Sequence, residues 1–394
     1  MVGAYWSGPG SPMNDLTNTQ GRVSVLSLDE LRPGSTIGDA YTTVQGVVEG
    51  ECGAQVGNMG DVDGEMAISC SHDEELKGSV HVLRDVPAGV YDLEEVSSWS
   101  FVGESGWNAG TALGGINAPH GEGERAFLFG SNWTSVPSGT GVGAVYIIPP
   151  PFPDHAPIEA HASLIVRGEG SGDILGSTAL GQDVSADGLA DLLIGAEWAP
   201  AFEDQPGTVY LYRGPLPMGE IEAESTADVA LRGDHLARTG YALDASHDLD
   251  GDGRNDVFVG GPRVTWADPD NDVGRAWLVT DLPDSGEHDL LDVAHSVYWG
   301  NRADDGVGTD VDLADLDQDG QVDVLVTAVW GFGSRGEVFV FYSPEPGHYV
   351  VEDDHDAVFE ATDPSRSTRS SSETSTATTP PICSSARATT ASVA

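Results

Sequence analysis

The chain has 394 residues and carries 64 acidic against 17 basic side chains, a formal net charge of −47. Nucleic acid and anionic membranes would be repelled by this charge, so neither is expected as a partner, whereas metal cations are favoured as local counterions. Hydrophobic residues make up 39% of the chain and include 9 Trp, 10 Tyr and 10 Phe, which excludes a wholly disordered protein.

The N-terminus, Met1 to Trp6, lacks the basic and apolar regions of a signal peptide. No apolar run approaches the ~20 residues that span a bilayer, so membrane insertion is not expected. We therefore expect either a cytoplasmic protein or a chain whose true start lies upstream. The repeat pattern favours the second reading, because residues 2–4 already match the second strand of a repeated unit.

A strand-like pattern of apolar residues followed by a small residue recurs about every 65 residues along the chain. A strand that opens with Gly follows most copies, and a further strand comes after it. Another strand, such as residues 240–243, precedes the opening loop of the next unit. No segment has a convincing helical period. The small residues of the pattern are Gly3, Ser69, Gly130, Gly195, Gly260 and Thr327.

Units of about 60 residues with four short strands each are typical of a β-propeller. A single four-stranded blade cannot bury both of its faces, so blades must pack around an axis. A β-sandwich is the alternative, but it does not explain units in near-constant register. We therefore predict an all-β fold, a β-propeller of four-stranded blades with about six repeat units, over residues 1–362.

The three cysteines are too few for a disulfide framework. Cys52 and Cys70 are equally distant from Asp61, at the tip of a predicted hairpin, which places them opposite each other on two strands. We predict a disulfide between them and hence an oxidising compartment, while Cys383 stays unpaired. Two small buried thiols are the alternative.

Three units contain a loop in which oxygen-bearing side chains stand at positions 1, 3, 5 and 9. Position 6 is Gly, which allows a sharp reversal, and position 7 can offer its backbone carbonyl. A loop that curls around a hard cation presents alternate residues in this way. The candidate ligands are Asp183, Ser185, Asp187, Leu189 and Asp191; Asp248, Asp250, Asp252, Arg254 and Asp256; and Asp315, Asp317, Asp319, Gln321 and Asp323.

Calcium fits these loops because it takes 6–8 oxygen ligands, whereas Mg²⁺ prefers an ideal octahedron with several waters. An EF-hand is excluded, because position 12 is an apolar strand residue, Ile194, Val259 or Val326, where an EF-hand needs Glu. An acidic turn without metal is the alternative. We predict about three Ca²⁺ sites.

The combined pattern resembles the FG-GAP repeat, which builds the N-terminal β-propeller of integrin α-subunits and of many bacterial secreted or surface proteins. The resemblance covers roughly residues 1–362 and is specific in three of the six units. It implies that the residues just named are calcium ligands. The chain departs from the motif in that Phe-Gly is replaced by Leu175-Gly176, Thr239-Gly240 and Val307-Gly308.

The remaining units depart further from the motif. The second keeps only a shortened loop, residues 61–65, whose metal binding is left open, and the third has no Asp in its loop. Residues 363–394 form a Ser/Thr-rich tail that we expect to be disordered, either as a linker or because the chain is truncated. A seven-bladed parent that has lost a blade fits this pattern better than a closed six-bladed ring.

No motif of hydrolases, kinases, zinc proteases or dinucleotide enzymes appears, so we expect no enzymatic activity. The leading interpretation is a calcium-binding extracellular or cell-surface β-propeller that acts as an adhesion or ligand-binding scaffold. Its partner would be an unknown protein or glycan at the cell surface. The alternatives are an accessory propeller of an extracellular hydrolase or lipase whose catalytic domain is absent, or a truncated inactive fragment.

Overall fold

The computed structural model describes residues 2–4, 22–25, 42–46, 52–59, 65–70, 77–103, 108–121, 125–135, 139–199, 206–234, 237–262, 273–302, 305–329 and 336–360. In these residues the chain forms six β-sheets, joined by turns and by five single-turn helices. The fold is all-β and is built from repeated, propeller-like units, which confirms the predicted fold class. The shortened loop at residues 61–64 and the tail at residues 363–394 lie outside the described residues.

The first three sheets are numbered in chain order, and their strands are given in sheet order. Sheet 1 contains β1 (Val2–Ala4), β2 (Arg22–Val25), β3 (Thr42–Gln45) and β7 (Gly89–Asp92). Sheet 2 contains β4 (Cys52–Asn58), β5 (Met66–Cys70), β6 (Ser79–Leu83), β8 (Ser97–Val102) and β12 (Ala156–Pro157). Sheet 3 contains β9 (Ala109–Ile116), β10 (Ala126–Ser131), β11 (Ala144–Ile148), β13 (Leu164–Arg167) and β17 (Gly219–Glu222).

The last three sheets repeat this order. Sheet 4 contains β14 (Leu175–Gln182), β15 (Asp191–Ala196), β16 (Thr208–Tyr212), β18 (Val229–Arg232) and β22 (Gly286–Asp289). Sheet 5 contains β19 (Ala242–Asp244), β20 (Val257–Gly261), β21 (Arg275–Val279), β23 (Ser296–Trp299) and β27 (His348–Val350). Sheet 6 contains β24 (Val307–Ala314), β25 (Asp323–Ala328), β26 (Glu337–Phe341) and β28 (Ala357–Glu360).

Sheets 1 to 5 each carry an added outer strand that the four-stranded prediction does not include. The added strand comes from the following unit and pairs in parallel, whereas the other strand pairs are antiparallel. In sheet 3, for example, β17 pairs with β13, although β17 lies in sequence between two strands of sheet 4. These strands are short and largely exposed, as in β17, so they leave no apolar alternation in the sequence.

A single helical turn follows each added strand directly. The turns are α1 (Leu93–Val96), α2 (Ile158–His161), α3 (Ala223–Thr226), α4 (Leu290–Val293) and α5 (Val351–Asp354). In each turn the first residue is buried, so one apolar side chain attaches the connection to the core. One turn is too short to produce a helical period, which is why the sequence does not predict these helices.

The core lies between consecutive sheets, in five apolar clusters. Strand β20 contributes side chains to two of these clusters. Val257 and Val259 pack in the cluster with sheet 4, while Phe258 between them packs in the cluster with sheet 6. Because successive side chains of a strand point to opposite faces, both faces of the inner sheets are buried, which accounts for their continuous apolar sequences.

Neighbouring sheets come into contact at paired glycines. A Cβ built on Gly195 in β15 would lie 2.1 Å from the carbonyl oxygen of Gly240, which precedes the first strand of the next sheet. Gly240 itself has a φ of 85°. Gly130 faces Gly176, and Gly260 faces Gly308, in the same way. The small residue of the repeated pattern is therefore required by the close approach of two backbones.

Cys52 and Cys70 are opposite residues of β4 and β5 and form a disulfide, which confirms the predicted pairing. In the described residues, no helix has the length and apolar character that crossing a membrane requires.

Candidate metal loops

The three Asp-rich loops connect equivalent strands in sheets 4, 5 and 6. They span residues 183–190 between β14 and β15, 245–256 between β19 and β20, and 315–322 between β24 and β25. Since each joins the first strand of its sheet to the second, all three lie at the same end of the sheets. Loop positions are numbered from Asp183, Asp248 and Asp315.

The first Asp of each loop accepts a hydrogen bond from the backbone N–H of the Gly at position 6. The distances are 2.9 Å from Gly188 to Asp183, 2.8 Å from Gly253 to Asp248 and 3.0 Å from Gly320 to Asp315. All three glycines have a positive φ, between 85° and 92°. The left-handed turn at position 6 thus folds the loop back onto its first carboxylate.

The Asp at position 5 accepts a hydrogen bond from the N–H at position 7. Asp187, Asp252 and Asp319 each make this bond at 2.8 Å. At position 3, Asp250 accepts from the N–H of Asp252 at 3.0 Å, and Asp317 accepts from Asp319 at 3.1 Å. Such side-chain to backbone bonds fix acidic side chains within a tight loop.

Carboxylates of positions 1, 3 and 5 converge in the second and third loops. One oxygen from each of Asp248, Asp250 and Asp252 lies within 4.8 Å of the others, and Asp315, Asp317 and Asp319 form the same group. In the first loop Ser185 stands at position 3, so this loop has a hydroxyl where the other two have a third carboxylate. The second and third loops therefore carry the stronger negative charge.

The Asp at position 9 has a different environment from the others. Asp191, Asp256 and Asp323 are fully buried, and each accepts a hydrogen bond from the N–H at position 2 of its loop. The distances are 3.0 Å from Val184, 2.6 Å from Leu249 and 2.8 Å from Leu316. Position 9 thus anchors the start of the loop to the second strand.

Two of these buried carboxylates also accept a bond from the turn after the third strand. Gly214 donates to Asp191 at 2.8 Å, and Ser343 donates to Asp323 at 3.0 Å. The spacing of the acidic residues does not predict these two donors. A common feature could have indicated them, since each directly precedes a proline in the turn that follows the third strand.

Asp256 is the least compensated of the three. In the described part of the chain, its Oδ1 atom is buried and accepts no hydrogen bond. The pKa of Asp256 is raised to about 7: burial is the largest cause, the charges of Asp250 and Asp248 add to it, and the hydrogen bond from the Leu249 N–H opposes it. A buried oxygen without a donor, next to two other carboxylates, is suited to a cation and poorly suited to a metal-free acidic turn.

The position 7 residues offer no converging side chains. Arg254 is half exposed, and its Nε lies 3.9 Å from Asp252 Oδ2. Its backbone N–H is the donor to Asp252 already described, as is that of Leu189 to Asp187. Any contribution of position 7 to a metal site would therefore come from the backbone carbonyl, and the assignment of all fifteen ligands stays a prediction.

The shortened loop of the second unit contributes one described acid, Glu65. Its carboxylate is buried and accepts a hydrogen bond from Arg84 Nε at 2.7 Å. Arg84 in turn lies over the ring of Trp99, 5.0 Å from the ring centroid. Glu65 is thus balanced by a guanidinium group at hydrogen-bond distance, whereas Arg254 and Asp252 of the second complete loop are 3.9 Å apart.

No family model matches the sequence. Part of the chain is similar to human integrin alpha-IIb, with 35% identity over 123 residues. This stretch covers 30% of the chain and 12% of the length of integrin alpha-IIb. The similarity supports the resemblance to integrin α-subunits for that part of the chain.

Proposed function

We propose that this chain is a calcium-stabilised, propeller-like scaffold outside the cell that binds a protein or a glycan and catalyses no reaction. The observation that carries the proposal is the convergence of Asp248, Asp250 and Asp252, repeated one unit later in the third loop. The partial similarity to integrin alpha-IIb and the disulfide between Cys52 and Cys70 support an extracellular location.

Calcium would be held by the carboxylates of positions 1, 3, 5 and 9 and by the carbonyl of position 7. The donors are all oxygen, which suits a hard cation, and Asp256 Oδ1 lacks any other partner in the described residues. When bound, the cation supplies positive charge that offsets the repulsion between these carboxylates. The loop N–H groups already hold the side chains at positions 1 and 5, so little ordering remains to be done on binding.

The role of the cation would be structural. The three loops lie at one end of sheets 4, 5 and 6, and each begins and ends at a strand that packs in the core. Holding the loops in place would therefore restrict thermal motion at that end of the three sheets. A chain of net charge −47 would favour neutral or basic partners over anionic ones.

Thermal unfolding with Ca²⁺, with Mg²⁺ and with a chelator tests the metal part of this proposal. A ligand bound only by the folded state stabilises it by about 2.7 kcal/mol per site at 100 times its dissociation constant. We expect a large rise in Tm with Ca²⁺, a smaller one with Mg²⁺, and about three bound Ca²⁺ in equilibrium dialysis. An unchanged Tm would contradict structural calcium.

The binding part needs a separate screen. The purified chain would be tested against arrays of glycans and of surface proteins, and in parallel against general esterase and phosphodiesterase substrates. Saturable binding without turnover is the expected result. Turnover by this chain alone would overturn the scaffold assignment.

A further inference from the structure

Sheet 6 exposes a phenylalanine at a position that is buried in every other sheet. The position lies on the last antiparallel strand of each sheet, which is β3, β8, β13, β18, β23 or β28. It is the residue before the one that pairs with the first residue of the neighbouring antiparallel strand. Phe359 occupies it in sheet 6 and is 63% exposed. The equivalents in sheets 1 to 5, all at most 2% exposed, are Val44, Phe101, Val166, Leu231 and Tyr298.

The added strand and its helical turn help to cover this position in the earlier sheets. In sheet 5, Tyr349 of the added strand β27 is the direct neighbour of Tyr298, and their rings stack with centroids 5.0 Å apart. The first residue of each helical turn lies in the same apolar cluster as the residue it covers. Examples are Ala223 with Val166, Leu290 with Leu231 and Val351 with Tyr298.

Sheet 6 has no such cover in the described residues. There, β28 pairs with β26 on one side only, whereas the equivalent strands of the other five sheets, β3, β8, β13, β18 and β23, pair on both sides. Val358 packs toward the core of sheets 5 and 6, and Phe359 next to it points away from that core. The edge therefore combines unpaired backbone groups with an exposed aromatic ring, a combination that favours addition of a strand.

We propose that the outer edge of β28 binds an extended segment of another polypeptide as a parallel strand, with Phe359 as its apolar anchor. The five added strands show the chemistry that such a segment needs. In β7, β17 and β22 four residues begin with Gly and end with Asp or Glu, and the helical turn that follows starts with an apolar residue. A second copy of this chain is a poorer source, because its own five segments of this kind are already paired.

This surface lies on a strand edge, away from the Asp-rich loops. The proposal therefore does not depend on calcium binding, and it specifies a protein rather than a glycan at this edge. Its failure would leave the metal proposal untouched.

A peptide copied from the chain itself tests the proposal. Residues 283–295 contain β22 and α4, and the fluorescently labelled peptide would be titrated into the full chain in 0.15 M salt with Ca²⁺, followed by anisotropy. We expect saturable binding to the wild type. Phe359→Ser should weaken it at least about tenfold, because the apolar anchor is lost. Met218→Ser, which removes another side chain that is 71% exposed, should leave binding unchanged.

A second peptide with Leu290→Asp should bind at least about tenfold more weakly than the parent peptide. Coincident thermal unfolding curves of wild type and Phe359→Ser would show that the variant is folded. Absence of saturable binding to the wild type, or equal binding by Phe359→Ser, would overturn the proposal. So would a wild-type dimer in sedimentation velocity that Phe359→Ser dissociates, because the occupant would then be a second copy.

Discussion

Gly195 and the carbonyl of Gly240 are so close that a Cβ on Gly195 would lie 2.1 Å from the carbonyl oxygen. A Cβ atom cannot lie so close to an oxygen to which it is not bonded, so any side chain at residue 195 would force sheets 4 and 5 apart. The same relationship between Gly130 and Gly176, and between Gly260 and Gly308, makes it a property of the repeat.

Gly195→Ala should therefore destabilise the fold by about 3 kcal/mol, through overpacking at the contact of two backbones. Gly114→Ala is the matched control, because a Cβ there would meet nothing within 4 Å and Gly114 does not have a positive φ. Its unfolding free energy should stay within about 0.5 kcal/mol of the wild type. Denaturant unfolding followed by tryptophan fluorescence measures both, and equal effects would show that the contact is not tight.

Asp250→Ala and Asp317→Ala should each abolish one calcium site. Each removes one of three converging carboxylates, so the bound Ca²⁺ should fall by about one equivalent and the calcium-dependent rise in Tm should shrink. Asp284→Ala removes the same carboxylate at an exposed turn and should alter neither value. Equilibrium dialysis gives the stoichiometry. Full occupancy in both loop variants would mean that position 3 is not a ligand.

Reduction of the disulfide should destabilise the N-terminal sheets. Cys52 and Cys70 are 18 residues apart, and a closed loop of this length stabilises the fold by about 3 kcal/mol. The Tm of the wild type should be lower in dithiothreitol than in buffer without reductant. A Cys52→Ser, Cys70→Ser double variant should have the lower Tm with and without dithiothreitol. Thiol titration of the denatured, unreduced chain should find one free thiol, that of Cys383. Three thiols would contradict the bond.

Asp305 should make stability depend on pH. Its pKa is raised to about 6: burial is the largest cause, Arg302 opposes the shift, and the charges of Glu352 and Glu337 add to it. The pKa in the unfolded chain is about 3.9, so between pH 4 and 6 only the folded state keeps the proton. The contribution of Asp305 therefore falls by about 2 kcal/mol as the pH rises through this window, and is constant above it.

Asp305→Asn removes this titration, so the stability of the wild type relative to the variant should decline from pH 4 to pH 7. Chemical unfolding of both proteins in chelator, at several pH values, measures the difference directly. A difference that does not change with pH would mean that Asp305 is ionised in the folded state throughout.

The sequence predicts those features that depend on local spacing. The recurring small residue, such as Gly195, indicates the second strand of each unit. The Asp pattern that begins at Asp248 indicates the loop before that strand. The symmetric spacing of Cys52 and Cys70 predicts the bonded pair. Each of these signals lies within about twenty residues of chain, where the turn geometry limits the possible arrangements.

The features that the sequence does not predict depend on distant partners. Strand β17 is recognisable only through its pairing with β13, more than fifty residues earlier, because its own side chains are largely exposed. The burial of Asp256 is likewise invisible in a pattern that gives positions 1, 3, 5 and 9 the same residue type. Its environment is set by the strand on which it lies and by the Leu249 N–H.

The added strands also change what counts as a module of this protein. Because β17 and α3 lie within the sequence of one unit but complete the sheet of the preceding one, a cut at any repeat boundary leaves one sheet without its edge strand. A junction after α3 does not avoid this, because it separates β18 from its partner β16 in sheet 4. In sheets 2 to 5 the sequence repeat and the folded sheet thus share four strands, and the fifth strand comes from the next unit, so each unit completes the sheet that precedes it.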